Sequence, residues 1–375
     1  MAPVTLFVRD FVHNKKSLYA ITADGRLAQI WDTDRWNVDF PLDGTAQPGL
    51  RFKTAPGVIP REIGNNKKLL YAVTDDGRLA QIWDTDRWNL DFPADLAGEP
   101  GLRFDDGTPA ALAGNAVAGK KIVWLRSDAR MAQVADSSAW RVGFFGFPAG
   151  NERYTGNPAF FGALFDIPDL ADLPAAGLVG LYAITAHGRL AQITRGNIDF
   201  PAELAGHPDL RFQGSPAVFG RDAVHNKKSL YAITTDGRLA QVWDTDRWNL
   251  DFPVEKTSQS GLRFGGDPAV FGRDVAGDKK SIYAVTFDER LVQIWDTDGW
   301  NVDFPAERTD QPDVRFRQTP AVFVRETAGD KKSIYAVTSE GRLAQVWDTD
   351  RWNIDFPAEL AGREDLRFRA ERFVL

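Results

Sequence analysis

The motif WDTDRW, or a close variant, occurs five times in this sequence and brings aromatic rings, carboxylates and a guanidinium group together. An indole face can cover the apolar C–H side of a sugar, while fixed charged groups bond its hydroxyls. Bonds with a charged partner are the stronger ones. The candidate carbohydrate-binding residues are therefore Trp31, Trp83, Trp243, Trp295 and Trp347; Asp34, Asp86, Asp246, Asp298 and Asp350; Arg35, Arg87, Arg247 and Arg351; and Trp36, Trp88, Trp248, Trp300 and Trp352.

The same residues also have a structural interpretation. Trp36 and its equivalents fit a wedge between neighbouring units of the fold, whereas Trp31 and its equivalents fit a binding role better. The DTD segment fits a turn in which aspartates bond their own backbone. The pair Arg221 and Asp222, with its equivalents, fits either a rim site or a tie between units. The lysine pairs before each motif are predicted to be solvated.

The motif belongs to an internal repeat, whose period decides the fold. Near-copies of KKSLYAITADGRLAQIWDTDRWNVDFP begin at Lys227, Lys279 and Lys331, 52 residues apart, and also at Lys15 and Lys67. Two more divergent copies begin at Lys120 and Leu181, so the repeat occurs seven times. The third copy has Ala135 and Gly143 where most others have Trp and Asp, and the fourth copy lacks the WDTDRW turn.

Each repeat has the signals of four short strands. SLYAIT and LAQIW flank a DGR hairpin, in which Gly77 or Gly237 supplies the positive φ, and WNVDFP and PAVFGRD complete the set. Four antiparallel strands per repeat predict an all-β, seven-bladed β-propeller. We expect a single domain, 1–375, with blades near 1–52, 53–104, 105–155, 156–212, 213–264, 265–316 and 317–375. The segment VTLFVRD predicts a first strand at the N-terminus, and the tail Arg372 to Leu375 falls at the seam, so either end is a candidate for sealing the ring.

Strand direction predicts where the candidate residues lie. Strands one and three of an antiparallel blade run the same way, so the end of strand one, the start of strand two and the turn after strand three share one rim. We expect each full blade to present its own set of these residues there.

Composition argues against other functions. The net charge is −7, so the composition does not indicate a basic surface for binding nucleic acid. No apolar run is long enough to span a membrane. There is no cysteine, and the segment Asp296 to Asp303 resembles a calcium loop without its remaining ligands, so no cofactor or metal is expected. The four histidines do not recur beside a nucleophile, which argues against an enzyme. Without a secretory signal at the N-terminus, a cytoplasmic protein is expected.

The order PAVFGRD, SLYAITTDGRLAQVWDTDRW resembles that of bacterial and fungal propeller lectins. It is most similar to the seven-bladed bacterial lectins that bind fucose and O-methylated sugars, and more distantly to the tectonins. The resemblance implies sites near blade junctions and makes Trp31 and its four equivalents the best matches. The segment AELAGxPxLRF makes this repeat longer than the usual blade.

Three hypotheses for function follow. The first is a multivalent lectin with repeated sites on one rim, whose partners are glycans, fucosylated or O-methylated by the resemblance, and which forms a monomer or a homo-oligomer. The second is a scaffold that docks a protein partner through blades three and four. The third is a hydrolase that uses the central channel.

Overall fold

The chain forms a ring of seven four-stranded antiparallel sheets, which confirms the predicted all-β, seven-bladed propeller. In this computed structural model the described residues are 4–10, 15–62, 67–113, 121–136, 139–144, 152–161, 180–194, 197–222, 227–274, 279–326 and 331–370. Each sheet is one blade, and its strands follow one another in sequence order from the ring axis outwards.

The strands occupy equivalent positions in every blade. The first strands are β1 Val4–Asp10, β5 Gly57–Glu62, β9 Ala110–Ala113, β13 Ala159–Phe161, β17 Phe212–Asp222, β21 Ala269–Asp274 and β25 Phe316–Glu326. The second strands are β2 Lys15–Ile21, β6 Lys67–Val73, β10 Lys121–Ser127, β14 Gly180–Ile184, β18 Lys227–Thr234, β22 Lys279–Val285 and β26 Lys331–Thr338. The third strands are β3 Leu27–Asp32, β7 Leu79–Asp84, β11 Arg130–Asp136, β15 Leu190–Thr194, β19 Leu239–Asp244, β23 Leu291–Asp296 and β27 Leu343–Asp348. The fourth strands are β4 Trp36–Asp39, β8 Trp88–Asp91, β12 Trp140–Phe144, β16 Asn197–Asp199, β20 Trp248–Asp251, β24 Trp300–Asp303 and β28 Trp352–Asp355.

The second and third strands are joined by the predicted DGR hairpin. Gly77 and Gly237 have φ of +83° and +80°. Glycine adopts this left-handed region without steric strain because it has no Cβ. In blade six Glu289 takes this place at φ +63°. The chain therefore reverses at the same point in each of these repeats.

Seven apolar cores hold the ring, and each lies between two neighbouring blades. Second strands are buried on both faces, and six of the seven have a fully buried tyrosine in the middle, such as Tyr231, whereas β10 has Trp124 there. A blade thus has no core of its own. Since burial of apolar surface is the main stabilising term, the blades stabilise one another around the closed ring.

The ring is closed by both ends of the chain. Strand β1 pairs along β2, as the N-terminal sequence predicted. Phe368 bridges Thr22 of blade one as Phe52 bridges Thr74 of blade two, so the end of each repeat lies on the next blade. Val4 and Phe368 are buried in the same core. The tail from Arg372 to Leu375 lies outside the described residues.

The rim that carries the hairpins is fixed by stacked ion pairs. Short helical turns follow the fourth strands: α1 Pro93–Leu96, α2 Pro201–Leu204, α3 Pro357–Leu360, and the 3₁₀ turns Pro253–Lys256 and Pro305–Arg308. The Arg342 guanidinium lies 3.4 Å from the Phe356 ring centroid, and its Nε donates to Glu359 at 2.5 Å. This hydrogen bond lowers the pKa of Glu359 below its ordinary value. Within the described ranges, no helix is long and apolar enough to cross a membrane.

Candidate functional site

The turn between strands three and four carries the predicted DTDR residues and is held by its own hydrogen bonds. In blade one the Thr33 N–H donates to the Arg35 carbonyl at 3.0 Å, and the Asn37 side chain donates to the same carbonyl at 3.0 Å. The Asp34 and Arg35 side chains are exposed. The equivalent residues Asp86, Asp246, Asp298, Asp350, Arg87, Arg247 and Arg351 are exposed as well. The turn therefore presents one carboxylate and one guanidinium to solvent.

The two lysines of each pair have different surroundings. Lys16 is only 4% exposed, and its Nζ donates to Asp32 Oδ2 at 2.5 Å. Its backbone N–H donates to Asp32 Oδ1 at 2.6 Å. The same buried ion pair recurs as Lys68–Asp84, Lys228–Asp244, Lys280–Asp296 and Lys332–Asp348. The prediction of solvated lysine pairs was therefore wrong for the second lysine, because its side chain points between the blades.

Each buried ammonium also lies close to aromatic rings. Lys16 Nζ is 5.4 Å from the Trp36 ring centroid and 5.3 Å from that of Phe323, which belongs to blade seven. Such cation–π contacts are favourable at these distances. The first lysine instead stays at the rim, where Lys15 donates to the Thr33 carbonyl and lies 3.7 Å from Asp34. The lysine pair thus ties both ends of the turn to strand two.

The pleat of the sheet separates the two tryptophans of a blade. Asp32 pairs with Trp36, and Trp31 pairs with Asn37. Paired residues share a face and successive residues alternate, so Trp31 and Trp36 lie on opposite faces. Trp36 packs against the core shared with blade seven, as the wedge interpretation predicted. The prediction that a blade presents both tryptophans as one set was wrong, because they face different neighbours.

A cleft forms where two such faces meet, on the outer side of the ring beside the turn. Between blades seven and one it has a volume of about 290 Å³. One wall, here called the tryptophan wall, consists of Gln345, Trp347 and Asp355 of blade seven. The other, the turn wall, consists of Lys16, Asp32, Arg35 and Trp36 of blade one, with Thr33 and Asp34 at its edge.

Trp347 is oriented within this cleft by a carboxylate. Its Nε1–H donates to Asp355 Oδ2 at 2.6 Å, and both residues are half-buried. The indole held in this way lies beside the charged and amide groups that line the cleft. The prediction from sequence missed Gln345 and Asp355, although both follow from the two-residue period that places them on the face of Trp347.

The registers of the other blades place equivalent residues in the other clefts, named here by their two blades. Clefts 7/1, 1/2 and 6/7 have every element of both walls. Cleft 5/6 has Gly299 in place of the arginine, and cleft 2/3 has Ala139 there. Cleft 4/5 has a complete turn wall, but Thr194 replaces the tryptophan. Trp31, Trp295 and Trp347 therefore lie in complete clefts, and Trp83 and Trp243 in partial ones.

Cleft 3/4 has lost both walls at once. Blade three contributes Ala135 and Gly143 to its tryptophan wall, and blade four lacks the motif that forms a turn wall. The core beneath is nevertheless apolar and closed, with Ile122, Trp124 and Tyr154 among its buried members. The divergence of blades three and four thus removes residues from both walls of the cleft that they share, and it also reaches clefts 2/3 and 4/5 through Ala139 and Thr194.

Of two further features of the sequence, one lies within the described structure and the other outside it. Within the described ranges no group of three or more acidic or histidine side chains is placed to hold a metal ion, and Asp296 of the calcium-like segment pairs with Lys280. The side chains of Arg221 and Asp222 lie outside the described part of the structure, as does His225.

Comparison with known proteins supports the fold. No family model matches the sequence, and no curated protein matches it. The structure is similar to that of the BP39L lectin from Burkholderia pseudomallei, with a TM-score of 0.65 and 19% identity over 95% of this chain and 98% of that one. Weaker similarities, both with TM-scores of 0.44, link it to the six-bladed Aleuria aurantia lectin (12% identity, 91% and 90% coverage) and to AofleA from Arthrobotrys oligospora (13% identity, 94% and 89% coverage). The resemblance to propeller lectins is thereby confirmed at the level of the fold.

Proposed function

We propose that this chain is a multivalent lectin that binds sugars in the clefts between neighbouring blades. The loss of both walls at cleft 3/4 carries this proposal. Ala135 and Gly143 remove one wall, and the missing turn removes the other, while the core under the cleft stays apolar. If these residues served to join blades, their loss would be expected to open the core beneath the cleft, yet that core keeps its buried apolar members.

The chemistry of a complete cleft suits a polyhydroxylated ligand. The indole of Trp347 offers an apolar face for the C–H side of a sugar ring. Arg35 supplies donors, while the Gln345 amide and the Asp355 carboxylate supply a donor and acceptors for hydroxyls. A shallow cleft binds one sugar weakly. Several clefts on one side of a ring raise the apparent affinity for a glycan-coated surface by about 10²–10⁴-fold.

The similarity of fold agrees with this proposal. BP39L is a lectin, and Aleuria aurantia lectin recognises fucose. Fucosylated or O-methylated glycans are therefore the first candidates for this chain. A scaffold role would place the contact on blades three and four, and a hydrolase would need a reactive group in the channel; no described residue favours either alternative.

A glycan array tests the proposal. Trp31, Trp83, Trp243, Trp295 and Trp347 are changed together to alanine, and in a matched variant to phenylalanine, which keeps an aromatic face. The alanine variant should lose all glycan binding, whereas the phenylalanine variant should keep weakened binding with the same preference. Melting curves establish that both are folded. Undiminished binding by a folded alanine variant would refute the proposal.

A further inference from the structure

The carboxylate that ends each fourth strand has different partners in different clefts. In blade seven Asp355 accepts the Trp347 indole N–H at 2.6 Å. In blade six Arg308 Nε lies 2.7 Å from Asp303 Oδ1, and Asp303 is only 8% exposed. In blade five Lys256 donates to Asp251 Oδ2. The same position therefore faces the cleft in one blade and is neutralised by a cation in two others.

The cation comes from one position of the repeat, the fourth residue of the helical turn after the strand. This position is Lys256 in PVEK and Arg308 in PAER. It is an exposed leucine in PADL and PAEL, at Leu96 and Leu360, and Gly44 in blade one. A leucine or glycine cannot pair with a carboxylate. The sequence thus divides the clefts with a tryptophan into two groups.

A backbone bond fixes this carboxylate in both groups of clefts, since in blade one the Phe40 N–H donates to Asp39 Oδ1 at 2.8 Å. The Phe252 N–H donates to Asp251 Oδ1 at 2.8 Å, so both oxygens of Asp251 are occupied once Lys256 binds the other. The Phe304 N–H donates to Asp303 Oδ1 at 2.8 Å, the same oxygen that Arg308 contacts. In contrast, no cation among the described residues pairs with Asp355 or Asp91. Burial raises the pKa of Asp91, as expected for a carboxyl without a compensating charge.

We infer that this position sets the ligand charge that each cleft accepts. Resting on the proposed sugar-binding function, the inference is that the complete clefts 7/1 and 1/2, whose carboxylate pairs with no cation among the described residues, select sugars with a protonated amino group. The complete cleft 6/7, in which Arg308 neutralises the carboxylate, selects neutral sugars. In blade seven this carboxylate belongs to Asp355 on the tryptophan wall. Asp355 lies two residues along β28 from Asn353, the residue that pairs with Trp347, and so at the end of the cleft away from the turn.

The test exchanges the residues that nature already varies at this position. Leu360→Arg places the cation of blade six into blade seven, and Arg308→Leu places the leucine of blade seven into blade six. The probes are methyl glycosides of glucosamine and of N-acetylglucosamine, which share a ring but differ in charge. Titration calorimetry at pH 6 measures both with each protein. All changed side chains are exposed, so the variants should fold.

Leu360→Arg should weaken glucosamine binding at cleft 7/1 about tenfold, since a charge-assisted bond is lost and a like charge added. Arg308→Leu should add one glucosamine site. Unchanged preferences in both variants, with N-acetylglucosamine still bound, would overturn the inference while leaving the proposed function intact. No binding of either probe or of any arrayed glycan by the unaltered protein would refute the proposed function itself.

A second readout needs no sugar. The new guanidinium of Leu360→Arg should draw Asp355 away from Trp347, so the indole N–H signal of Trp347 should shift in a proton–nitrogen correlation spectrum. A Trp347→Phe variant assigns that signal. An unshifted signal would overturn the inference whether or not a ligand is known.

Discussion

If a site lies between blades, two changes in one cleft should remove one site, whereas two changes in one blade should remove two. Trp347 and Arg35 line cleft 7/1 although they belong to different blades. Trp347 and Arg351 belong to blade seven but face different clefts. We therefore expect Trp347→Ala with Arg35→Ala to lower the number of bound sugars by one. Trp347→Ala with Arg351→Ala should lower it by two.

The structure also gives the stability cost of these changes. Truncating a fully buried tryptophan costs about 3–5 kcal/mol. Trp347 is half-buried, so about half of that is expected, together with about 1 kcal/mol for its bond to Asp355. Arg35 and Arg351 are exposed, and their truncation should change stability by less than about 0.5 kcal/mol. The variants should remain folded.

Titration calorimetry with a monovalent sugar measures the number of sites, and melting curves monitor the fold. Each single variant serves as a control and should lose one site. The opposite pattern, two sites lost with Arg35 and one with Arg351, would show that each blade forms its own site and would refute the reasoning from the sheet faces.

Three further predictions concern the ring. Deletion of residues 2–10 removes β1, which buries Val4 and Phe7, and should yield aggregated protein; a soluble product with an unchanged melting temperature would contradict this. Lys228→Met leaves the half-buried Asp244 carboxylate without its cation and should cost about 3 kcal/mol in urea unfolding, most of it recovered in Lys228→Met with Asp244→Leu; equal costs for the two variants would argue against a tight ion pair. Glu359→Gln should cost about 0.5–1 kcal/mol at pH 7. Arg342 lowers the pKa of Glu359 in the folded state, so the stabilisation is complete above the pKa of the unfolded state and disappears as pH falls through the pKa of the folded state. The two proteins should therefore melt at the same temperature near pH 2. A difference in melting temperature that persists at that pH would contradict the assignment.

The fold was predictable because the repeat specifies the same local choices seven times. The 52-residue period, the DGR hairpins and the N-terminal VTLFVRD segment together predicted blade number, strand order and the first strand of the ring. The seam was not predictable. Phe368 pairs with Thr22 of blade one in the same way as Phe52 pairs with Thr74 of blade two. The local sequence around Phe368 therefore does not mark this pairing as the one that closes the ring.

The cleft was predictable only in part. The candidate residues lie at the walls of the clefts, yet the division of Trp31 and Trp36 between two clefts required the register across the turn. The two-residue period would also have placed Lys16 on the face of Asp32 and so between blades. The reach of Arg308 to Asp303 could not be predicted, since a long side chain has many rotamers and only the packing around it selects one.

The separation of core from cleft explains how the ring keeps its fold while its clefts differ. The core between blades three and four buries Ile122, Trp124 and Leu181 although the cleft above it has lost both walls. The stability of the fold depends on the apolar area buried in the cores, and the cleft residues contribute only to the edge of that area. Under the proposed function, binding depends on a few rim side chains, so one cleft can change without affecting the next. If the clefts bind sugars as proposed, their preferences are set cleft by cleft, since the propeller fold itself does not determine them.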